Sequence, residues 1–574
     1  MGDVDNFLEA RHLLLNADNY EYAKTNFEWP KIEEFNWATE FFDKIAEEST
    51  NPAIVLVDDE GLEEKISFKS LKHKSNKVAN FLRSLDLTKG DRILLLLPNR
   101  VELFEIFLGA MKVGCSIVPA STLLTPEDIT DRIVRGNIKC AISDRVFAKR
   151  IELAGTVKRV LKCKILVDGE AKDWQSYSEI DTFSSEFSTK QKFLHSDELL
   201  IYFTSGTTAK PKLVLHTYTS YPVGHLTTMY WIGVKPGDLH YNISAPGWAK
   251  HAWSTIFAAW NAGATSFVYI YSGRFNPKKT LENIEKYEVK TLCAPPTVWR
   301  RFMLENLKKY SFSLKEVVSA GEPLNPEIIK RVKESTDLEI REGYGQTETT
   351  LQIGVFPGMK IKPGSMGVEA PGFHVDIVDV YNQKRLTNSR EGAIAIEIMP
   401  RRPTGLMERY IDPVEKNLEV FLGGWYLTGD LAKKDDDGYF WFIGRIDDVF
   451  KSSDYRISPF EIESELLTHR LVTESAVIAS PDKLRGYVPK AFIILRAGIK
   501  PSRENAIELF RFTRNKIAPY KRPRIIQFVT ELPKTVSGKI RRKQLRHQET
   551  QLGSIRAKAQ YEFYEEDFAQ ELEM

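Results

Sequence analysis

The fold is decided by residues 71–113, LKHKSNKVANFLRSLDLTKGDRILLLLPNRVELFEIFLGAMKV, where two helical patterns flank one short apolar strand. Leu71 to Leu85 places apolar side chains at helical spacing, and Arg92–Leu97 is a continuous apolar run of strand length. Val101 to Val113 then repeats the helical pattern. Because strands that alternate with helices build parallel sheets through crossover connections, this stretch predicts an α/β fold.

The same alternation returns further along the chain. Thr265–Ile270 and Thr291–Ala294 have the pattern of strands, and Pro277–Tyr287 has the spacing of a helix. Beyond about residue 360 the apolar runs shorten between Gly, Pro and Asp turns, which predicts an appended antiparallel sheet or barrel. The predicted fold is therefore α/β, with a large multilayer N-terminal domain of parallel sheets, helices and a β-rich barrel-like subdomain.

A charged connector, Gly444–Asp448, interrupts the β-rich region. Beyond it the patterns predict a small α+β domain with helices at 459–467 and 503–516 and strands at 474–479, 490–495 and 525–529. The predicted boundaries are an N-terminal domain over 1–443, a hinge over 444–448 and a C-terminal domain over 449–574. The last ~25 residues, with Glu565-Glu566-Asp567, have the composition of a solvated tail or a terminal helix.

The composition excludes several function classes. The chain has 574 residues, and its 80 basic and 78 acidic side chains leave a net charge of +2. This balance supplies no global field for nucleic acid or an anionic membrane. Four cysteines without CxxC spacing argue against zinc and disulfides and favour a reducing compartment. An acidic N-terminus and the lack of any window of ~18 apolar residues predict a cytoplasmic protein without membrane partners. Oligomeric state does not follow from these features.

The run Thr204-Ser205-Gly206-Thr207-Thr208-Ala209-Lys210-Pro211-Lys212 concentrates hydroxyls, amides and cations in one turn. It follows the apolar run Leu199–Phe203 and precedes Leu213–Leu215, which predicts a strand–loop–strand hairpin. Backbone N–H groups of a Gly-containing turn form an anion nest, and the hydroxyls and lysines add donors, so the loop suits a polyphosphate. An ordinary polar hairpin is the alternative, because Ser, Thr and Gly are common in turns. The run is not a Walker loop, since no Gly-Lys-Ser/Thr closes it.

Five further motifs follow this loop in order along the chain: Ser319–Leu324, Gly343–Thr349, Tyr426–Asp430, Gly444–Asp448 and Pro533–Lys539. In that order they resemble the adenylate-forming acyl-CoA synthetase superfamily, over essentially residues 35–545. The runs Pro246–Lys250 and Cys293–Thr297 are similar to its medium-chain acyl-CoA synthetase branch. The resemblance implies an enzyme that adenylates a small carboxylic acid with ATP and Mg²⁺, releases pyrophosphate and transfers the acyl group to coenzyme A.

The resemblance also assigns roles to residues. It implies that Lys539 bridges the substrate carboxylate and the α-phosphate, that Glu348 binds Mg²⁺, and that Thr347 bonds the α-phosphate. The implied catalytic set is Lys539, Thr204 and Glu348. The implied contacts to the β- and γ-phosphates are Thr204, Ser205, Gly206, Thr207, Thr208 and Lys212. The implied walls of the adenine and ribose site are Gly321, Glu322, Pro323, Glu342, Gly343, Tyr344, Gly345, Gln346, Asp430 and Arg445.

The implied acyl pocket is lined by Trp248, Ala320 and Gly345. Acetate-specific relatives carry Trp in the position of Gly345, where it floors the pocket. A glycine leaves room for several methylenes, each of which favours longer acids by about 0.8 kcal/mol. A short-to-medium-chain, branched or hydroxylated acid is therefore expected. The alternative is that a tight strand turn needs Gly345 for its backbone alone.

Coenzyme A is expected to bind at a second face of the small domain, away from Lys539. The implied contacts are Ser453, Asp454, Tyr455, Arg456, Arg485 and Arg514. The family usually has Gly at position 454; Asp tolerates a left-handed backbone, so the turn can form, although its carboxylate could crowd the pantetheine. Because Lys539 and this turn lie on different faces, the resemblance implies that the domain rotates about Asp447 between the two half-reactions.

Other functions stay open at this point. An enzyme of the same chemistry could deliver its acyl group to a carrier protein or act as a luciferase-like oxidase, and an inactive homologue could hold AMP without turnover. Intact Glu348 and Lys539 argue against the inactive homologue. Since the substrate carboxylate itself attacks, three histidines are expected to be structural: His216, His225 and His251.

Overall fold

The chain folds around two large, mainly parallel sheets. A computed structural model describes residues 2–154, 160–204, 210–271, 273–387, 389–452, 455–482, 485–535, 539–552 and 558–573. Within these residues the first sheet orders its strands as Val368–Glu369, Leu351–Gly354, Ile340–Gly345, Glu316–Ala320, Thr291–Cys293, Leu239–Asn242, Thr265–Ile270, Pro52–Asp58 and Glu63–Ser67. The second orders them as Arg409–Asp412, Lys212–Thr217, Glu198–Thr204, Ser116–Pro119, Arg92–Leu96, Ile138–Ser143, Cys163–Leu166 and Gln175–Ser176. The predicted α/β class is confirmed.

Helices connect and cover these strands. The α-helices are Asp3–Leu15, Tyr20–Asn26, Asp43–Glu48, Phe68–Ser84, Val101–Val113, Pro126–Arg135, Arg145–Leu153, Leu226–Ile232, Ala249–His251, Ala259–Ala262, Pro277–Lys286, Pro296–Phe302, Pro326–Thr336, Lys416–Val420, Pro459–Leu466, Arg503–Lys516, Arg542–Leu552 and Ala569–Glu573. Two π-helical turns, Ala38–Phe42 and Ala252–Ala258, and three 3₁₀ turns, Tyr177–Thr182, Leu307–Lys309 and Glu565–Phe568, complete the described helical segments.

The first two helices of the deciding stretch pack directly on each other. The helix Phe68–Ser84 begins after Ser67, whose hydroxyl accepts a hydrogen bond from the amide of Ser70 at 3.0 Å. In the second helix, Val101–Val113, a Cβ added at Gly109 would lie 2.6 Å from Cγ1 of Val78. Only a glycine therefore allows the two helices to approach this closely.

An antiparallel sheet follows the parallel ones, as predicted. It runs in the order Val375–Val378, Gly392–Glu397, Trp425–Lys434 and Phe421–Leu422, and Phe440–Arg445 also pairs with Trp425–Lys434. The chain then enters the hairpin Phe450–Ser452 and Tyr455–Ile457. A separate sheet follows in the order Val472–Asp482, Gly486–Leu495, Ile525–Phe528 and Glu562–Tyr564.

The hydrophobic clusters of the two regions are separate. Buried apolar residues from Ile457 to Phe568 pack among themselves, and those up to Phe440 form other clusters. The small α+β unit therefore has its own core. Its boundary at 444–448 and its mobility stay predictions.

The prediction of a solvated C-terminal tail is wrong for the strand Glu562–Tyr564 and for the side chains of Glu565 and Phe568. Glu562–Tyr564 pairs antiparallel with Ile525–Phe528 and closes one edge of the small sheet. Phe568 is 1% exposed, and the carboxylates of Glu562 and Glu565 are buried as well. Only a short helix, Ala569–Glu573, fits the alternative prediction of a terminal helix.

A buried charge network ties this strand to the small domain. Lys490, 1% exposed, donates from Nζ to Glu549 at 2.7 Å and to Glu562 at 2.5 Å. Glu549 also accepts from the hydroxyl of Ser480 at 2.7 Å. A buried ammonium is costly unless it is paired and hydrogen-bonded, so this network couples the C-terminal strand to the sheet centre.

Across the part of the chain that the structure describes, none of the helices combines the length and the apolar character needed to cross a bilayer.

Candidate active site

A cleft of about 2290 Å³ opens at the carboxyl ends of the first sheet's parallel strands, where open α/β sheets hold their ligands. Asn242, Gly321 and Gly345 line it where their strands end, and Lys539 and Arg542 line it from the small domain. The cleft therefore brings together residues that lie far apart in sequence.

The predicted hairpin is confirmed, since Thr204 and Lys212 pair across antiparallel strands. Its tip, with the predicted phosphate contacts Ser205, Gly206, Thr207 and Thr208, lies outside the described residues. Thr204 and Lys212 both line the cleft. The two residues at the base of the hairpin therefore line the cleft.

A lysine, a glutamate and a tyrosine form a tight triad at this base. Nζ of Lys212 donates to Oε1 of Glu348 and to the hydroxyl oxygen of Tyr410, both at 2.7 Å, and the Tyr410 hydroxyl donates to the same Oε1 at 2.7 Å. Burial would raise the pKa of Glu348, but the Lys212 ammonium and the Tyr410 hydroxyl outweigh it and hold that pKa below its ordinary value. An ionised carboxylate facing the cleft fits a hard cation such as Mg²⁺, which keeps most of its coordination for water and phosphate oxygens.

The carboxylate of Asp430 is the centre of a second cluster. It accepts from the Tyr344 hydroxyl at 2.6 Å and from Nε2 of Gln346 at 2.8 Å. Arg445 lies opposite Asp430 on the neighbouring strand. Burial raises the pKa of Asp430, and the Tyr344 hydrogen bond and the Arg445 charge oppose that rise. The cluster thus brings together the carboxylate of Asp430 and Arg445, the two charged residues that were predicted to bind the ribose.

The predicted adenine wall lines the same cleft. Gly321 has φ of +109°, a conformation that favours glycine, and Glu322 pairs with Arg300 at 3.3 Å. Oε1 of Glu342 accepts from the amide of Leu324 at 3.1 Å, and burial raises the pKa of Glu342 to about 8. The remaining members of the wall, also in the cleft, are Pro323, Gly343, Tyr344 and Gln346. Thr347, predicted to bond the α-phosphate, lines the cleft as well.

Trp248, Ala320 and Gly345 also line the cleft, as predicted for the acyl pocket. A Cβ added at Gly345, however, would lie 2.5 Å from the carbonyl oxygen of Thr350. The missing side chain of Gly345 therefore faces a neighbouring strand rather than open space. This geometry favours the alternative interpretation, a backbone need for glycine, over the pocket floor.

Lys539 reaches the cleft from the small domain. Its charge is close enough to influence the pKa values of Asp430, on a strand of the large domain, and of Lys250, in a short helix of that domain. The helix Arg542–Leu552, which follows Lys539, is fixed within the small domain because Arg542 pairs with Glu463 of the helix Pro459–Leu466. Of its motif, residues 536–538 lie outside the described residues.

The described members of the predicted coenzyme A set do not line the cleft. Tyr455 stacks on Tyr520 with ring centroids 4.4 Å apart, and Arg485 is exposed in a turn. Arg514 donates to Glu565 at 2.8 Å and to the carbonyl of Leu572 at 3.0 Å. Ser453 and Asp454 lie outside the described residues, as does the side chain of Arg456. The assignment of these residues to coenzyme A stays a prediction, and Arg514 is bonded to the C-terminal segment instead.

The three histidines expected to be structural are all buried. Nε2 of His216 lies 2.7 Å from the carbonyl of Thr347, and Nε2 of His251 lies 3.0 Å from Oδ1 of Asn99. Burial lowers the pKa of His216 to about 4, that of His251 to about 3, and that of His225 well below its ordinary value. These neutral rings act as fixed hydrogen-bonding groups, and His216 positions the backbone of Thr347.

The arrangement of this cleft has counterparts in known proteins. A family model described as "AMP-binding enzyme" matches residues 41–410. The chain belongs to the AMP-binding enzyme family. A second model, "AMP-binding enzyme C-terminal domain", matches residues 461–539. The family predicted from the ordered motifs is therefore confirmed.

Individual members of the AMP-binding family are similar over nearly the whole chain. The 4-hydroxybutyrate–CoA ligase 1 of Metallosphaera sedula is 42% identical, covering 90% of this chain and 91% of the relative. The mitochondrial acyl-coenzyme A synthetase ACSM3 of Rattus norvegicus is 40% identical, covering 93% and 94%. The crystal structure of the anthranilate CoA ligase AuaEII with anthranoyl-AMP has a TM-score of 0.82 at 27% identity and covers 92% of this chain and 99% of its own.

The sequence did not reveal two residues of this AMP-binding enzyme's site, Tyr410, which hydrogen-bonds to Lys212 and Glu348, and Lys250, which lines the cleft. Tyr410 lies 198 residues from Lys212 and 62 from Glu348, so only the fold shows the triad. Lys250 stands inside a run that was used to identify the branch, and a charged residue within otherwise apolar or small neighbours was the available signal.

Proposed function

We propose that this chain, an AMP-forming acyl-CoA synthetase that uses ATP, Mg²⁺ and coenzyme A, acts on a short-to-medium-chain, branched or hydroxylated carboxylic acid. The observation that carries the proposal is the meeting of Lys539 with Asp430, Glu348 and Lys212 in one cleft. The substrate class draws support from the relative named for 4-hydroxybutyrate.

In the first half-reaction, a carboxylate oxygen of the acid bonds to the α-phosphorus of ATP, and the bond from that phosphorus to the oxygen bridging the β-phosphate breaks. Lys539 would hold the attacking carboxylate and the α-phosphate, where negative charge builds up in the transition state. Thr204 and Lys212 would hold the leaving pyrophosphate. When bound at Glu348, Mg²⁺ supplies positive charge that offsets the charge of the leaving group.

In the second half-reaction, the sulfur of coenzyme A bonds to the acyl carbonyl carbon, and the bond from that carbon to the AMP oxygen breaks. AMP leaves with the electron pair, and the thiol proton passes to solvent. Asp430 and Arg445 would keep the ribose in place through both steps. Because Lys539 occupies the cleft here, the small domain must rotate before the thiol can enter.

The cytoplasmic location stays a prediction. The rat relative carries "mitochondrial" in its name, and the M. sedula ligase does not. Fractionation of cells that express the untagged protein would decide between the two compartments.

Formation of AMP that depends on both acid and coenzyme A tests the proposal. We expect turnover over a panel from acetate to dodecanoate with branched, hydroxylated and aromatic members, and a maximum among short-to-medium, branched or hydroxylated acids. Acid-dependent pyrophosphate release without acyl-CoA formation would instead favour a carrier-protein acceptor. No pyrophosphate release with any acid would favour a non-catalytic nucleotide-binding protein.

A further inference from the structure

Lys250 is a partly exposed cation of the cleft, and its ammonium hydrogen-bonds to a backbone carbonyl. It lies in the short helix Ala249–His251, and the side-chain amide of Asn242 donates to its backbone carbonyl at 3.1 Å. Its Nζ donates to the carbonyl oxygen of Ala320 at 3.0 Å, at the end of a strand that borders the predicted acyl pocket. Lys250 itself lines the cleft.

No carboxylate lies within ion-pair distance of Lys250 among the residues that the structure describes. Burial lowers the pKa of Lys250, the Cys293 thiol and the Glu322 charge oppose this, and Lys539 adds to it. The hydrogen bond that the structure shows for the ammonium goes to the carbonyl oxygen of Ala320.

Two lysines that are almost fully buried, Lys112 and Lys490, both have carboxylate partners. Lys112, fully buried, pairs with Asp43 at 2.8 Å and with the side chain of Asn76 at 2.7 Å. Lys490 donates hydrogen bonds to the carboxylates of Glu549 and Glu562. Neither Lys112 nor Lys490 lines the cleft. Lys250, which has no such carboxylate among the described residues, instead faces the ligand space, where a ligand atom can complete its hydrogen bonding.

An ammonium has three donors, and a purely alkyl acyl chain offers none of them an acceptor. An alkyl chain would cover Lys250 without replacing the water it displaces, which is unfavourable. A hydroxyl oxygen on the acyl chain would accept a hydrogen bond at no such cost. A second carboxylate is less suitable, because Glu322 acts on the same ammonium and would repel it.

We propose that Lys250 is a specificity-determining residue whose ammonium donates to a hydroxyl oxygen on the acyl chain, so that hydroxylated acids are preferred over their alkyl analogues. The inference rests on the proposed function and narrows it from several acid types to one. Lys250 then selects the acid, while Lys539 serves the reacting carboxylate.

The test compares 4-hydroxybutyrate, butyrate and succinate in the wild type, in Lys250→Met and in Lys250→Arg. We expect the wild type to prefer the hydroxy acid, and Lys250→Met to lose about 10- to 100-fold in kcat/KM for it while keeping kcat/KM for butyrate. Lys250→Arg keeps the charge and should retain most of the preference. The matched control is Lys235→Met, since Lys235 also donates to a backbone carbonyl, that of Leu15, but lies outside the cleft.

Equal losses with all three acids would overturn the inference, because Lys250 would then serve the nucleotide or the fold. An unchanged ratio, or a wild-type preference for succinate, would overturn it as well. Binding of butyryl and 4-hydroxybutyryl sulfamoyl-adenosine needs no turnover, so a Lys250-dependent affinity difference would support the inference even if CoA transfer failed. Absence of turnover with every acid would count against the proposed function alone.

Discussion

Lys539 of the small domain lines the cleft, where its charge acts on Asp430 and Lys250 of the large domain. Lys539→Ala should reduce acyl-adenylate formation at least about 100-fold, because a preorganised donor to the developing charge is lost. Conversion of a supplied acyl-adenylate to acyl-CoA should remain largely intact, since the proposed role of Lys539 is confined to the first half-reaction. Separate assays of pyrophosphate release and of thioester formation measure the two half-reactions.

The matched control is Lys521→Ala, which removes a lysine of the same domain that pairs with Glu461 at 2.7 Å and lies outside the cleft. It should leave adenylation within a few-fold of wild type, as expected for loss of a partly exposed ion pair. Equal losses of both half-reactions in Lys539→Ala would contradict the assignment.

The structure around Gly345 predicts that a side chain there disturbs the backbone, whereas the sequence analysis predicted that it would fill the acyl pocket. Because an added Cβ would meet the carbonyl of Thr350 at 2.5 Å, Gly345→Ala should force a backbone shift and destabilise the protein by about 1–3 kcal/mol. All acids should then lose activity together. Thermal unfolding and kcat/KM over the acid panel measure both effects; a stable variant that selects acetate would restore the pocket-floor interpretation.

Individual residues were predictable where a motif fixes the backbone, and less so where partners come from distant strands. Thr204, Asp430 and Lys539 could be placed in the cleft from their motifs. The direction of the missing Cβ at Gly345 depends on how its strand pairs with Leu351–Gly354, and no spacing in the sequence encodes that. The Tyr410 hydroxyl that completes the Glu348 cluster is likewise a product of tertiary packing.

At the scale of elements, long periodic segments were predicted almost to the residue. The helix Val101–Val113 and the strand Thr265–Ile270 have the predicted bounds, because their side-chain periodicity is set by burial on one face or both. The strand Glu562–Tyr564 was missed, since three residues among charged neighbours have no periodicity of their own. Its conformation comes from pairing with Ile525–Phe528.

The connector between the domains yields an element-scale prediction. Asp448 is held by the helix Arg542–Leu552 through Arg546 at 2.6 Å, whereas Asp447 contacts only Arg445 of the preceding strand, at 3.2 Å, among the described residues. Asp447→Pro should leave adenylation measurable and reduce thioester formation by orders of magnitude, because proline fixes φ near about −65° and restricts rotation. The same two half-reaction assays measure this.

Asp447→Ala is the control for the connector, since it removes the carboxylate and leaves φ free. It should support both half-reactions. No backbone acceptor is recorded for the amide of Asp447 within the described residues, so proline costs no hydrogen bond there. If Asp447→Pro slowed both steps equally, rotation about this position would not be the basis of the second step.

At the scale of the whole molecule, the cleft lies between two units with separate cores, and stability of one need not follow the other. Lys490→Met would leave Glu549 and Glu562 buried without their counter-charge, which should destabilise the small domain by about 3–5 kcal/mol. The large domain should keep its unfolding temperature, and nucleotide binding should persist. Calorimetry that resolves two transitions tests this.

Lys500→Met is the matched control, because Lys500 is an exposed lysine of the same domain. It should leave both transitions within about 0.5 kcal/mol of wild type. A single transition that shifts as a whole in Lys490→Met would show that the two units unfold together.

The network around Lys490 also bears on how the chain is made. Its two carboxylate partners lie 59 and 72 residues downstream, and the second belongs to the strand that completes the small sheet. On the ribosome, the nascent chain must therefore expose an unneutralised lysine and an open strand edge until residues 562–564 have emerged. The large domain, whose sheets are complete far earlier in the chain, can fold before the small domain has all of its strands.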